Sequence, residues 1–235
     1  MSLSLTQDDN TALFRKAWTL YDAISEKNYM FHREIYSHVT RMLQKRHELG
    51  AYHLLDLGCG NARFLAPCLQ SAPPASYDGV DLSASALEEA RSYLNGLSNT
   101  GLHHKDMLLA VEDTDSAFDI IFSGFAVHHL DAASKQRLFS ACAEHLAPEG
   151  QFILVDVVRE EGQTREQYLE AYLNCMRTQW TEVHPEHLAE ACAHVESYDF
   201  PETLAELGQM AKRAGLSEPQ VIDSYQQHHI LRFTV

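Results

Sequence analysis

From His53 to Leu65 the chain reads His-Leu-Leu-Asp-Leu-Gly-Cys-Gly-Asn-Ala-Arg-Phe-Leu, an apolar run that meets two glycines and continues into a helical pattern. Tyr52 to Leu57 is short and largely apolar, the pattern of a parallel strand covered on both faces. Gly58 and Gly60 let the backbone bend sharply and come close to a ligand. Amide N–H groups near Asn61 to Phe64, Arg63 among them, would then point at that ligand and can donate to a carboxylate. Position gives the turn its meaning, because open parallel sheets bind ligands at the carboxyl ends of their strands. A dinucleotide fingerprint requires a third glycine at position 63, where this chain has Arg63. No Gly-Lys-Ser/Thr follows, so a P-loop also fails. What remains suits a nucleoside ligand without a pyrophosphate.

Asp56-Leu57-Gly58-Cys59-Gly60-Asn61-Ala62 resembles motif I of the class I S-adenosylmethionine-dependent methyltransferases. That family often has a third glycine at the place of Ala62, and alanine is a mild departure. The resemblance implies S-adenosyl-L-methionine as cofactor and Asp56, Gly58, Gly60, Asn61 and Arg63 as part of its site. It also implies transfer of a methyl group to a small-molecule N, O or C acceptor.

Composition narrows the partners. The formal net charge is −15, from 33 acidic and 18 basic side chains, which opposes binding to nucleic acid or to an anionic membrane surface. Apolar residues make up 45% of the chain, enough for a packed core, and no run approaches the ~20 residues of a membrane span. With no signal-peptide pattern, the expectation is a cytoplasmic protein. Five scattered cysteines never fall in a C-x-x-C spacing, so neither a disulfide framework nor a structural zinc site is expected. His184-Pro185-Glu186-His187 offers a two-ligand spacing without an accompanying carboxylate set, and no metal is expected.

Along the chain, residues 8–25 and a second stretch bearing Phe31, Ile35, Val39 and Leu43 predict two amphipathic helices, the second closed by basic residues and Gly50. Either they cover the sheet, or Tyr21 faces the cofactor and Tyr29 the substrate, as N-terminal helices do in the resembling enzymes. Residues 61–71 read as a helix, broken by Pro73-Pro74. Ser76 to Leu82 reads as the second strand, followed by a helix from about Ser83 or Ser85, with Ser85-x-x-Glu88 as a capping box. Asp81, with Leu82 beside it, ends that strand, where an acidic side chain can accept both ribose hydroxyls or simply cap the next helix. Gly101 to Met107 fits a third strand and its exit loop. By resemblance, Asp106 meets the adenine amino group and Met107 the ring, although a surface-loop aspartate is the plainer alternative.

Ala117 to Phe125 is a clear buried strand resembling the family's motif IV, and Ser123, Gly124 and Phe125 leave its carboxyl end near where the methyl group should sit. His128 and His129 follow, as general-base candidates or as structural residues, and His129 also as a substrate contact. A helix from Asp131 to Leu146, a turn at Pro148-Glu149-Gly150 and a fifth strand from Gln151 to Val158 complete the alternation.

Residues 160–200 interrupt it with predicted helices carrying Tyr172 and Trp180, candidate substrate contacts. This insertion is a lid, a small core of its own, or a contact in a homodimer. A helix from Glu202 to Ala214 and an antiparallel hairpin, Pro219–Tyr225 and His228–Val235, close the chain. The expected fold is α/β: a doubly wound, seven-stranded, mostly parallel sheet with a C-terminal antiparallel strand, N-terminal helices and a helical lid insertion. Residues 1–235 form a single domain, divided into an N-terminal helical cap (1–50), a cofactor-binding core (51–158), the lid insertion (159–200) and a C-terminal helix and hairpin (201–235). Two rival functions share the unit: a non-catalytic S-adenosylmethionine-binding regulator and an NAD-dependent oxidoreductase, the latter opposed by Arg63.

Overall fold

A computed structural model of the chain describes residues 24–235. Tyr21 and most of the first predicted helix lie outside the described residues. Helix α1 (His32–Glu48) precedes strand β1 (His53–Leu57), followed by α2 (Leu65–Ser71), β2 (Ser76–Asp81), α3 (Ala84–Tyr93), β3 (Thr100–His104), α4 (Met107–Glu112) and β4 (Phe118–Gly124). After a single 3-10 turn, Val127–His129, come α5 (Ala132–His145), β5 (Leu146–Arg159), α6 (Arg165–Gln179) and α7 (Pro185–Tyr198). The chain ends with β6 (Glu202–Thr203), α8 (Leu204–Ala214), β7 (Gln220–Tyr225) and β8 (His228–Thr234).

The main sheet runs β3-β2-β1-β4-β5-β8-β7, with β6 paired to the end of β5 off that path. Pairs among β1 to β5 are parallel, and β8 runs antiparallel to both β5 and β7. Both faces of the central strands are apolar. Leu55, Leu57, Ile121, Phe152, Leu154, Leu231 and Phe233 pack under α4, α5 and α8. Their neighbours Leu54, Ile120, Phe122, Ile153, Val155 and Ile230 pack under α1, α2 and α3. The period-2 alternation thus sends successive residues of one strand into two cores, which is why these segments read as near-continuous apolar runs. A third cluster, of Ile24, Val157 and residues of α6 and α7, sits apart from both.

Local details differ from the sequence expectation. Helix α2 starts at Leu65, since Gly60 to Phe64 are spent on a tight turn in which the Ala62 N–H donates to the Cys59 carbonyl at 2.9 Å. Helix α3 is capped by Ser83, whose hydroxyl accepts the Ala86 N–H at 3.2 Å. Ser85, the expected cap, instead lies inside the first turn with its hydroxyl 3.0 Å from that of Ser83. Helix α4 was not anticipated, and the segment expected to open the last helix begins with the short strand β6. The Pro148-Glu149-Gly150 turn is a bulge inside β5, where Glu149 has φ 63° and the register to β4 shifts.

Candidate functional site

The strand order reverses between β1 and β4, and the carboxyl ends of β2 and β3 lie beside them. Such a reversal opens a crevice where α/β sheets bind ligands. The turn after β1 holds three left-handed residues, Gly58 (φ 76°), Gly60 (φ 53°) and Ala62 (φ 56°). At Ala62 the left-handed backbone costs ~1–2 kcal/mol that glycine would spare. The N–H groups of Gly58 and Cys59 both donate to the Val80 carbonyl at 2.9 Å, strapping the turn to β2.

Asp81 completes the strap. Its Oδ2 accepts the Gly60 N–H at 2.8 Å and its Oδ1 the Ser83 N–H at 2.7 Å. Burial raises its pKa, and these backbone donors oppose the rise. A carboxylate has about four acceptor positions, so each oxygen keeps room for a ligand hydroxyl. Asp56, beneath the turn, is buried and accepts the Tyr77 O–H at 2.8 Å; burial pushes its pKa up to about 7, with Tyr77 opposing. Asn61 stiffens the turn from above: its amide donates to Glu89 at 3.1 Å and its carbonyl accepts the Arg63 N–H at 3.1 Å. The Arg63 guanidinium lies over the Phe64 ring, 5.3 Å from its centroid, and 3.8 Å from Glu26.

Leu82 is exposed at the tip of β2, its carbonyl 2.9 Å from His104 Nε2. Asp106 caps α4, accepting the N–H groups of Leu108 and Leu109 at 2.9 and 3.1 Å. The adjoining Met107 sulfur lies 3.9 Å from where a Cβ on Gly58 would stand, so the exit of β3 meets the glycine turn. On β4, Ser123 is fully buried and donates to the Leu57 carbonyl at 2.7 Å, which ties β4 to β1. A side chain on Gly124 would strike the Tyr36 hydroxyl at 2.8 Å. Phe125, with φ 57°, places its ring 4.8 Å from that of His32 and 5.8 Å from that of His228.

The aromatic residues of the insertion gather elsewhere. Tyr29 stacks on Trp180 at 5.3 Å, and its hydroxyl accepts the Glu182 N–H at 3.0 Å. Tyr172 lies edge-on to Trp180 at 6.3 Å and to His228 at 6.1 Å, and both Tyr172 and Trp180 are buried in the third cluster. The packing of Tyr172 on His228 carries this cluster toward the tips of β5 and β8. There a cavity of about 370 Å³ opens among Val158, Arg159, Tyr168, Tyr172, Gln227 and His229. Tyr168 is one of its lining residues, and the hydroxyl of that residue is buried without a hydrogen-bond partner.

His128 and His129 leave β4 on the 3-10 turn. Asp156, on β5, accepts the His128 backbone N–H at 2.8 Å and pairs closely with ring Nδ1, while Asp199, just past α7, places Oδ1 3.6 Å from Nε2. Burial works against a charge on His128, but Asp156 and Asp199 outweigh it and raise its pKa to about 9. Burial and the neighbouring His128 cation lower that of His129, whose Nδ1 lies 3.1 Å from the Tyr198 carbonyl.

Several of these residues escaped the sequence reading. Asp156 left a signal, a single carboxylate inside the apolar run Phe152 to Val158. Tyr77 and Asp199 left none, since each acts on a partner distant in the chain. The His184/His187 pair, with ring centroids 5.7 Å apart, joins no cluster of three ligand-type groups among the described residues.

Residues 55–152 match a family of methyltransferase domains. Demethylmenaquinone methyltransferase of Leptospira interrogans is 28% identical over 148 residues, 61% of this chain and 58% of that protein. Malonyl-[acyl-carrier protein] O-methyltransferase of Halalkalibacterium halodurans is 31% identical over 121 residues, 50% of this chain and 44% of that protein. The chain thus spans about half the length of these curated relatives. Among solved structures, human N-acetylserotonin methyltransferase in complex with SAM superposes with a TM-score of 0.65 at 12% identity, covering 98% of this chain and 59% of that one. The mostly parallel α/β fold expected from the sequence is the fold of that structural neighbour.

Proposed function

From a chain whose residues 55–152 match a family of methyltransferase domains, we propose an S-adenosylmethionine-dependent enzyme that moves a methyl group to a small-molecule N, O or C acceptor by in-line displacement. The observation that carries this reading is the Gly60–Asp81 hydrogen bond at the strand-order reversal, which makes an acidic tip and a glycine turn into one cradle. The residues fit an adenosyl group. Asp81 keeps acceptor capacity for ribose hydroxyls, and the left-handed turn of Gly58, Gly60 and Ala62 brings backbone close to the crevice. Asp106 and Met107 would border the adenine, and Phe125 the side facing the acceptor.

When bound, S-adenosylmethionine supplies an electrophilic methyl carbon on a positively charged sulfur. The chain's own task is then to hold the acceptor in line, which in well-oriented reactions supplies up to ~7–11 kcal/mol of the barrier reduction. The cavity beside Tyr168 and Tyr172 is the room we assign to that acceptor. The general-base expectation for His128 weakens, because both its ring nitrogens face carboxylates, Asp156 and Asp199, while His129 turns Nδ1 to the Tyr198 carbonyl. We read this pair as joining the exit of β4 to the end of α7. The formal charge of −15 favours an acceptor without a polyphosphate backbone.

Thermal-shift and calorimetric titration with S-adenosylhomocysteine and with NAD tests the cofactor, and incubation with methyl-labelled S-adenosylmethionine and small-metabolite fractions tests transfer. Saturable binding of the first ligand, none of NAD, and labelled product support the proposal. Preference for NAD would overturn it, and binding without any transfer would point to a regulator.

A further inference from the structure

His128, His129 and Asp199 bring together three ligand-type atoms, all within 4.8 Å of one another. Asp199 Oδ1 is buried and has no hydrogen-bond partner, although a bare carboxylate oxygen in such a place is costly. The two nearest nitrogens are His128 Nε2 at 3.6 Å and His129 Nδ1 at 3.7 Å. Those separations are too long for hydrogen bonds. They are close to the ~3.4 Å between corners of a tetrahedron with ~2.1 Å metal–ligand bonds.

The surroundings point the same way. Asp156 holds the Nδ1 side of the His128 ring, which turns Nε2 toward Asp199. A carboxylate behind a histidine in this manner is the usual support of a metal-bound imidazole. Asp156 and Asp199 are both buried carboxylates, and the nearby Lys135 ammonium is already engaged by Glu202 at 2.9 Å and by the Phe200 carbonyl. Exposed His129, with 38% of its side chain open, gives an ion a way in from solvent. The Tyr198 carbonyl, 3.1 Å from His129 Nδ1, is the partner that an ion would displace from that nitrogen.

We propose that His128 Nε2, His129 Nδ1 and Asp199 Oδ1 form a binding site for one divalent transition-metal ion of the zinc class. Two imidazoles and one carboxylate suit zinc or cobalt far better than magnesium. Ligation releases the His128 Nε2 proton to solvent, leaving that ring neutral with its Nδ1–H on Asp156, and places the His129 proton on Nε2. The ion would clasp the exit of β4 to the end of α7, fixing the insertion over the sheet, and it does so whether or not the crevice binds S-adenosylmethionine.

The test uses the full chain stripped with a chelator and titrated with zinc by calorimetry and with cobalt by visible absorption. One ion per chain with a tetrahedral cobalt spectrum and a zinc-dependent rise in melting temperature is expected. His129→Ala, at a partly exposed position, should weaken binding at least ~100-fold, and Asp156→Asn, which removes the carboxylate behind the His128 ring, ~10–100-fold. His184→Ala should change nothing. Absence of saturable binding to the unmutated chain, or affinity unchanged in both His129→Ala and Asp199→Asn, would overturn the site.

Discussion

The Asp81 carboxylate accepts the Gly60 backbone N–H at 2.8 Å, so the acidic end of one strand and the glycine turn of its neighbour form a single rigid element. Replacing Asp81 with alanine therefore removes the proposed ribose acceptor and leaves the Gly60 and Ser83 N–H groups without their partner. We expect S-adenosylhomocysteine affinity to fall about 10–100-fold, from hydrogen bonds worth ~1.5–3 kcal/mol. Calorimetry showing unaltered affinity would take Asp81 out of the binding site.

Gly58 and Gly162 share a left-handed backbone, at φ 76° and 78°, but only Gly58 is crowded. A Cβ there would come 2.5 Å from that of Ala126, whereas at Gly162 it meets nothing within 4 Å. Gly162→Ala should cost the ~1–2 kcal/mol of backbone strain alone, and Gly58→Ala a further ~1–3 kcal/mol of overpacking. Urea unfolding of the two variants measures the difference, and equal losses would contradict the crowding at Ala126.

Asp56 gives the stability a sign in pH. Its folded pKa, about 7, lies above the ordinary carboxylate value, so between the two the folded chain binds more protons than the unfolded one. Stability contributed by this group should therefore fall as pH rises from ~4 to ~7, by up to ~1.4 kcal/mol per unit. Comparing the parent with Asp56→Asn by denaturant melts across that window isolates the effect; parallel pH profiles would refute it.

Phe139, Phe152 and Phe233 meet edge-on or stacked, with ring centroids 5.2 to 5.6 Å apart, joining α5 to the centre of the sheet. All three are fully buried. Phe139→Ala should destabilise the chain by ~3–5 kcal/mol without moving any group of the crevice. A loss under ~1 kcal/mol would mean that this core collapses around the cavity.

The candidate site was partly legible in the chain. Gly58, Gly60 and Asp81 stand at strand ends that apolar periodicity locates, so their nearness follows from parallel neighbours alone. Ser123 sits at the expected tip, yet its hydroxyl is turned to the Leu57 carbonyl, and no spacing rule foretells which way a strand-end side chain points. Of the two expected starts of α3, Ser83 and Ser85, it is Ser83 that accepts an N–H, and both are equally able to do so by residue type.

By itself the sequence determined what short-range physics can encode: apolar runs that must be covered on both faces, glycines where the backbone turns left-handed, and capping residues that start the helices. Only the tertiary structure decided which distant polar groups meet, bringing Tyr77 to Asp56, Asp156 to His128, and Asp199 to the pair of histidines. Those contacts join segments whose separation leaves no periodic trace, and the orientation of each side chain is set by the packing of whole layers around it.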